Sequence, residues 1–263
     1  GDPPLGLFVR GTFPGGPAVA LVGARRASAY GREVAEWFGQ ELARAGVNVV
    51  SGMARGVDAA AHRGALAAGG PTTAVWGSGP DRTYPPEHEQ LAAEIADHGA
   101  LVSEYPPGSP PLAHHFPERN RIIAGLAQAI VVVEADVRSG ALITARLALD
   151  EGREVLAVPG SVFAPLSTGP NGLLRSGAAP ALAVADILDA IGVEAPTPTP
   201  DEPARGLLEA FRSGVTLSVD DLSAASGMPV SAVLESLVQL ELEGRVAREP
   251  DGSYRRLHRP ATA

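Results

Sequence analysis

The residues best suited to chemistry are His115, Phe116, Pro117, Glu118, Arg119, Asn120 and Arg121. They set an aromatic ring, two guanidinium groups and an amide at the start of an expected helix. The run 129–134, Ala-Ile-Val-Val-Val-Glu, follows and reads as a fully buried strand. Cations and a ring at the edge of a parallel sheet suit a polyanion whose bases can stack. The alternative for this segment alone is a helix start with a surface charge pair. Helix geometry separates the two arginines. At 100° per residue, Arg119 and Arg121 stand about 200° apart, so at most one of them enters a pocket. Arg119, nearer to Phe116, is the expected one, and Arg121 is expected in solvent or against a neighbouring helix.

Three further segments carry small or polar residues where a strand is expected to end. Gly23-Ala24-Arg25-Arg26 is followed by Ser28 as a helix N-cap. Ser51-Gly52-Met53-Ala54-Arg55-Gly56 leads into a second helix. Glu134 through Arg138-Ser139-Gly140 opens a third. Free N–H groups at helix starts bind phosphate, and glycine lets a ligand come close. Each loop alone is ordinary turn geometry. Arginine-bearing loops converging on one sheet edge point to an anion. Two standard nucleotide fingerprints are missing: the first loop is not GxGxxG, and the Walker pattern needs a lysine that this chain lacks.

These loops need a scaffold, and the apolar runs supply one. Strands are expected at 18–22, 47–50, 72–76, 101–103, 129–134 and 154–158. Helices are expected at 28–45, 57–68, 86–98, around Arg119, and at 140–151. Continuous apolar strands alternating with helices predict an α/β fold: a parallel sheet covered on both faces, with ligands at the carboxyl ends of its strands. The last clear strand is 154–158. Residues 192–204, with Pro196, Pro198, Pro200 and Pro203 among Glu194, Asp201 and Glu202, predict a stiff solvated linker. The expected organisation is a front domain 1–191, a linker 192–204 and a tail domain 205–263. In the tail, helices are expected at 204–212, 219–225 with Ser218 as N-cap, and 230–243. Residues 245–248 and 253–256 flank Asp251-Gly252, a hairpin signal. Three helices and a hairpin make a winged helix.

Composition narrows the function classes. The chain has 263 residues, 45% of them hydrophobic, which suffices for a large domain and a small one. Cysteine is absent, and the six histidines have no metal-binding spacing, so neither a disulfide framework nor a metal site is expected. No cofactor is implied. No apolar run approaches the ~20 residues of a membrane span, and no signal peptide is visible, so a cytoplasmic protein without membrane attachment is expected. The chain opens Gly-Asp-Pro-Pro rather than on Met, which suits a shortened chain. The net charge of −9 argues against a basic coat, but all 21 basic residues are arginine. Each cation is therefore a planar fork suited to phosphate, and a pocket can be positive inside an acidic molecule.

Seven blocks in order resemble the DprA/Smf family of DNA-processing proteins. They are VGARRASAYG (22–31), SGMARGVDAAAHRGAL (51–66), YPPEHEQL (84–91), SEYPPG (103–108), HFPERNRIIAGL (115–126), VVVEADVRSGALITARLALDEGREVLAVPG (131–160) and PLSTGPNGLLRSGA (165–178). The likeness covers roughly residues 5–190. Ala24 and Ala27 stand where family members often have other small or polar residues. The resemblance implies an extended Rossmann-like fold with a C-terminal winged helix. The N-terminal helical domain frequent in the family has no counterpart here, as expected of a shortened chain.

The resemblance also implies a single-stranded DNA-binding recombination mediator. Such a protein protects incoming DNA and loads the recombinase RecA during natural transformation, in competent cells, as a homodimer and not as an enzyme. By motif match, Gly23 and Arg25 fall in the first phosphate loop, and Ser51, Gly52 and Arg55 in the second. Phe116, Arg119 and Asn120 line the DNA pocket, with Ser139 and Thr144 beside it. An interface near 160–191 is expected, where the apolar run 181–184 lies. Two alternatives come from other classes. One is a nucleotide N-glycosidase of the LOG type, whose PGGxGTxxE motif is here 138–145 without the closing acid, although Glu134 and Asp136 are near. The other is a winged-helix transcription regulator. Against it, residues 230–243 hold Glu235, Glu241 and Glu243 and no base, so duplex DNA is expected to bind more weakly. The wing arginines Arg245, Arg248, Arg255 and Arg256 leave an auxiliary backbone contact open.

Overall fold

In the computed structural model, residues 2–194, 203–211, 215–242 and 244–257 are described. The chain forms two compact units, 1–196 and 197–263. Most of the expected linker, 195–202, lies outside the described residues.

The first unit runs β1 (Phe8–Gly11), β2 (Ala18–Val22), α1 (Ala29–Arg44), β3 (Asn48–Ser51), α2 (Val57–Ala67), β4 (Thr72–Trp76), α3 (Glu89–His98), β5 (Ala100–Ser103), α4 (His115–Leu126), β6 (Ala129–Val132), α5 (Gly140–Asp150), β7 (Glu154–Ala157), α6 (Thr168–Arg175), β8 (Ala179–Pro180) and α7 (Val184–Ala190). The sheet order is β1-β5-β4-β3-β2-β6-β7-β8. Every neighbouring pair is parallel except β1 with β5. The order turns about β2 and β6, which leaves a crevice outside their carboxyl ends.

Side chains alternate across β2. Val19 and Leu21 join Phe38 and Leu42 of α1 on one face. Ala18, Ala20 and Val22 join Ile122 and Ile123 of α4 on the other. With both faces covered, the strand reads as an unbroken apolar run. A further cluster seats α3, through Leu91 and Ile95, against Trp76, Leu101 and Met53.

The expected parallel sheet gains one antiparallel strand at its edge, β1. All four of its residues are exposed, so no buried run announces it; its register with β5 comes from tertiary pairing alone. Beyond β7, the sheet continues for one two-residue strand, β8, paired through Leu156 to Ala179 and Ala157 to Pro180.

The second unit comprises α8 (Pro203–Ala210), β9 (Thr216–Leu217), α9 (Val219–Ser226), α10 (Val230–Leu242), β10 (Val246–Arg248) and β11 (Tyr254–Arg256). The strands pair antiparallel in the order β10-β11-β9. Ser218 caps α9 through Asp221 N–H at 3.1 Å, and the Asp221 carboxylate accepts from Ser218 N–H at 3.1 Å, a reciprocal capping box. Gly227 ends the helix in the left-handed region at φ 67°. Leu207, Phe211, Leu222, Val233, Leu237, Leu240, Val246 and Tyr254 close the core. This is a winged helix, with β9 added to the expected hairpin.

Candidate nucleic-acid interface

A cavity of about 270 Å³ opens at the carboxyl ends of β2 and β6. Its walls include Gly23 and Arg25 after β2, Ala54 and Asp58 at the start of α2, Phe116, Arg119 and Asn120 of α4, and Ser139, Gly140 and Thr144 at the start of α5. The loop after β2 is pinned through both backbone groups of Ala24. Ala24 N–H donates to the Glu134 carbonyl at 2.7 Å, and Val57 N–H donates to the Ala24 carbonyl at 3.3 Å. A β-carbon on Gly23 would lie 2.5 Å from Val57 Cγ2 and 2.8 Å from the Glu134 carbonyl oxygen. Only glycine lets the three segments meet.

Glu134 is buried and fully engaged. Its Oε2 accepts from Ser28 N–H at 2.8 Å, and its Oε1 accepts the Ser28 hydroxyl at 2.6 Å. Ser28 in turn caps α1 at Gly31 N–H, 3.0 Å away. This carboxylate holds the end of the β2 loop in place. Ser139 caps α5 at Ala141 N–H, 3.3 Å away, and Thr144 returns its hydroxyl to the Gly140 carbonyl at 3.3 Å.

Arg119 is buried at the cavity floor. Its Nη1 donates to the Gly52 carbonyl at 2.7 Å and also to the Val75 carbonyl, while its Nε has no partner. Burial brings the guanidinium down to about 10; Asp58 opposes that shift and Arg25 adds to it. Asp58 is buried too, and accepts from Ala54 N–H at 3.2 Å. Burial raises its carboxyl above the usual range, against the pull of Arg119. Gly52 makes room for this pair. A β-carbon there would stand 2.6 and 2.7 Å from the two Arg119 Nη atoms and 2.7 Å from Asp58 Oδ2.

The aromatic wall sits above this floor. The Phe116 ring centre is 5.2 Å from the Arg25 guanidinium carbon and 6.0 Å from that of Arg119, within cation–π range. Tyr84 meets Phe116 at 5.3 Å with a 44° tilt. His115, next in the chain, locks the start of α4: its Nδ1 lies 2.9 Å from the Gly77 carbonyl, and its ring stacks on Tyr105 at 3.8 Å. The Tyr105 hydroxyl donates to Glu118 at 3.0 Å, and burial with that bond raises its ionisation well above normal.

Seven of the residues expected from the sequence therefore line one cavity: Gly23, Arg25, Phe116, Arg119, Asn120, Ser139 and Thr144. Gly52 lies beneath it, against Arg119. Ser51 also lies beneath the floor: its hydroxyl donates to the Leu21 carbonyl at 2.6 Å and its side chain borders Asp58. Arg55 sits elsewhere, paired on the surface with Glu87 at 2.5 Å. Arg121 turns away from Arg119 and binds both Glu104 oxygens at 2.6 and 2.8 Å. Sequence reasoning missed Asp58 and Tyr84. Asp58 had one readable signal, an acid in the first turn of a helix that carries no other acid. Among the described residues no cluster of side chains could hold a metal ion, and no helix is long and apolar enough to cross a membrane.

Residues 1–192 match the family model described as DNA recombination-mediator protein A, and residues 192–252 match the DprA winged helix domain. Protein Smf of Escherichia coli is 42% identical over 275 residues, covering 98% of this chain and 73% of that protein. DNA processing protein DprA of Bacillus subtilis is 42% identical over 191 residues, covering 72% of this chain and 64% of that one, so the likeness spans less than two thirds of its length. Among solved structures, DprA of Streptococcus pneumoniae superposes with a TM-score of 0.66 at 43% identity, covering 70% of this chain and 65% of that one. DprA of Helicobacter pylori, solved for its single-stranded DNA binding mode, gives 0.65 at 30% identity, covering 72% and 87%.

Proposed function

The chain belongs to the DNA recombination-mediator protein A family, the DprA/Smf proteins, and from that premise we propose that it binds single-stranded DNA in the Phe116 cavity. Its task is to protect incoming DNA and to load the recombinase RecA onto it in the cytoplasm during natural transformation. The single observation that carries the reading is the Arg25 guanidinium 5.2 Å from the Phe116 ring, at the mouth of a cavity whose floor holds Arg119 beside Asp58. The Helicobacter relative, characterised by its single-stranded DNA binding mode, supports it.

The chemistry is non-covalent. Arg25 is exposed and takes a backbone phosphate, releasing counterions. The capped start of α5 offers N–H groups to a neighbouring phosphate. An unpaired base stacks on Phe116, with Tyr84 widening the platform, and every base has a face that can do so. Arg119, buried beside Asp58, offsets that carboxyl, so that the floor does not repel the phosphates held at Arg25. Glu134 has both oxygens occupied by Ser28, which leaves it as a scaffold for the loop and not as a carboxylate beside a sugar.

A homodimer is part of the proposal, with its interface in 160–191. Val162 and Phe163, adjacent in the chain, are 85% and 92% exposed, and Leu182 is exposed as well; large apolar side chains left in solvent suit a protein contact. Two pockets on one strand then raise avidity without new contacts.

The experiment is a gel shift of single-stranded and duplex oligonucleotides at two salt concentrations. Tighter binding of the single strand, weakening as salt rises, is expected. Duplex bound as tightly, with no effect of Arg25→Ala and Phe116→Ala together, would overturn the assignment.

A further inference from the structure

Helix α10 buries only one side. Val233, Leu237 and Leu240 enter the core of the winged helix. Val230, Leu234 and Val238 recur every fourth residue on another face and are 44%, 44% and 59% exposed. Residues so spaced stand one above the other, and eight residues of helix span about 12 Å. The result is an apolar ridge along an i, i+4 row, inclined to the helix axis. Ser231, Glu235, Gln239 and Glu241 are exposed around it. The helix contains no arginine, lysine or histidine.

The third helix of a winged helix ordinarily turns cations and amides toward DNA. Here phosphates would meet Glu235 and Glu241, and base edges would meet valine and leucine. We propose that this ridge is a docking surface for an amphipathic helix of a protein partner whose apolar stripe is bordered by arginine or lysine.

Shape and charge choose this occupant. Such a ridge packs into the groove of a second helix. The border of the ridge is acidic, so the complementary border is basic. A second copy of α10 fits poorly, because every charge on both helices would be negative and like charges across a contact are costly. Duplex DNA fails for the same reason. The surface lies in the second unit and involves none of the residues of the Phe116 cavity, so it stands or falls separately from the single-stranded DNA reading.

The test uses the full chain and a synthetic fluorescein-labelled 18-residue amphipathic peptide, with a leucine stripe bordered by arginine, read by anisotropy. A counterpart carries glutamate in place of each arginine. The arginine peptide is expected to bind at least tenfold more tightly. Because the chain is acidic overall, the deciding comparison is between variants. Leu234→Asp should weaken the arginine peptide at least tenfold, and Glu235→Arg with Glu241→Arg should reverse the preference toward the glutamate peptide. Val238→Ser serves as a second probe of the ridge if circular dichroism finds Leu234→Asp unfolded. Equal binding of both peptides, or binding indifferent to the ridge variants, overturns the proposal. So does a fall in molecular mass with Leu234→Asp, which would make the ridge a contact between copies, or a selective loss of duplex DNA binding, which would make it a DNA face.

Discussion

Arg119 and Gly52 occupy space that a single β-carbon would take away: Nη1 donates to the Gly52 carbonyl at 2.7 Å, and a side chain on Gly52 would start 2.6 Å from that same nitrogen. The cavity floor is thus built on a missing methyl group. Gly52→Ala should push the guanidinium off two carbonyls and strand buried donors and acceptors, costing about 1–3 kcal/mol of stability. Urea unfolding should register this loss together with weaker DNA binding. An unchanged midpoint would mean that Arg119 relaxes without cost.

Arg25→Ala and Phe116→Ala should separate by their salt dependence. Removing one phosphate contact lowers the slope of log affinity against log salt by about 0.7 for a single strand. Removing a stacking ring costs roughly 1–3 kcal/mol and leaves that slope alone. Fluorescence titrations at several salt concentrations distinguish the two. Parallel curves for both variants would contradict the assigned roles.

Arg119→Met isolates the buried carboxyl of Asp58. Burial raises that group in the fold, and Arg119 restrains the rise. Without the cation, the folded value climbs further above the unfolded value of about 3.9. A fold that holds the proton more tightly is favoured at low pH, so stability is fullest below the unfolded value and falls as pH rises through the folded one. The variant should lose about 3–5 kcal/mol at neutral pH and regain part of it on acidification. Asp58→Asn in the same background should flatten the profile. Urea melts between about pH 4 and pH 8 are the measurement.

Glu134→Ala should destabilise the first unit by about 1–3 kcal/mol, since Ser28 loses the acceptor for both its N–H and its hydroxyl. Thermal unfolding gives the size of the effect. Glu134→Gln retains one acceptor oxygen and should recover part of the loss, an ordering that a catalytic role would not impose on a melting curve.

Phe163→Glu combined with Leu182→Arg should yield a monomer by light scattering at micromolar concentration while leaving the affinity for a short oligonucleotide intact. Long strands should bind more weakly, because only they engage two pockets. A wild-type chain already monomeric under those conditions would remove the dimer from the proposal.

How much of this was legible in the sequence differs from one feature to the next. The run at 18–22 was readable because both its faces are buried, and α4 because two arginines two residues apart must diverge on a helix. Strand β1 was not, since Phe8, Val9, Arg10 and Gly11 are all exposed and pair only through the fold. Helices α6 and α7 escaped notice because Gly169, Pro170 and Gly172 break the apolar period in one, and the other is only seven residues long. In the cavity, residue types were enough for Arg25 and Phe116. They were not enough for Arg55, whose partner Glu87 is 32 residues away in sequence.

The two carbonyls that Arg119 grips lie at neighbouring strands, since Val75 is within β4 and Gly52 is the first residue after β3. These strands are neighbours in the middle of the sheet. A pull on α4 therefore reaches the sheet and not a hanging loop. A filament held in the cavity while its far end is pulled would load the β4 ladder and the end of β3 rather than a free loop. In a pulling experiment on the proposed complex, the strand is expected to slip from Arg25 and Phe116 before the cavity changes shape.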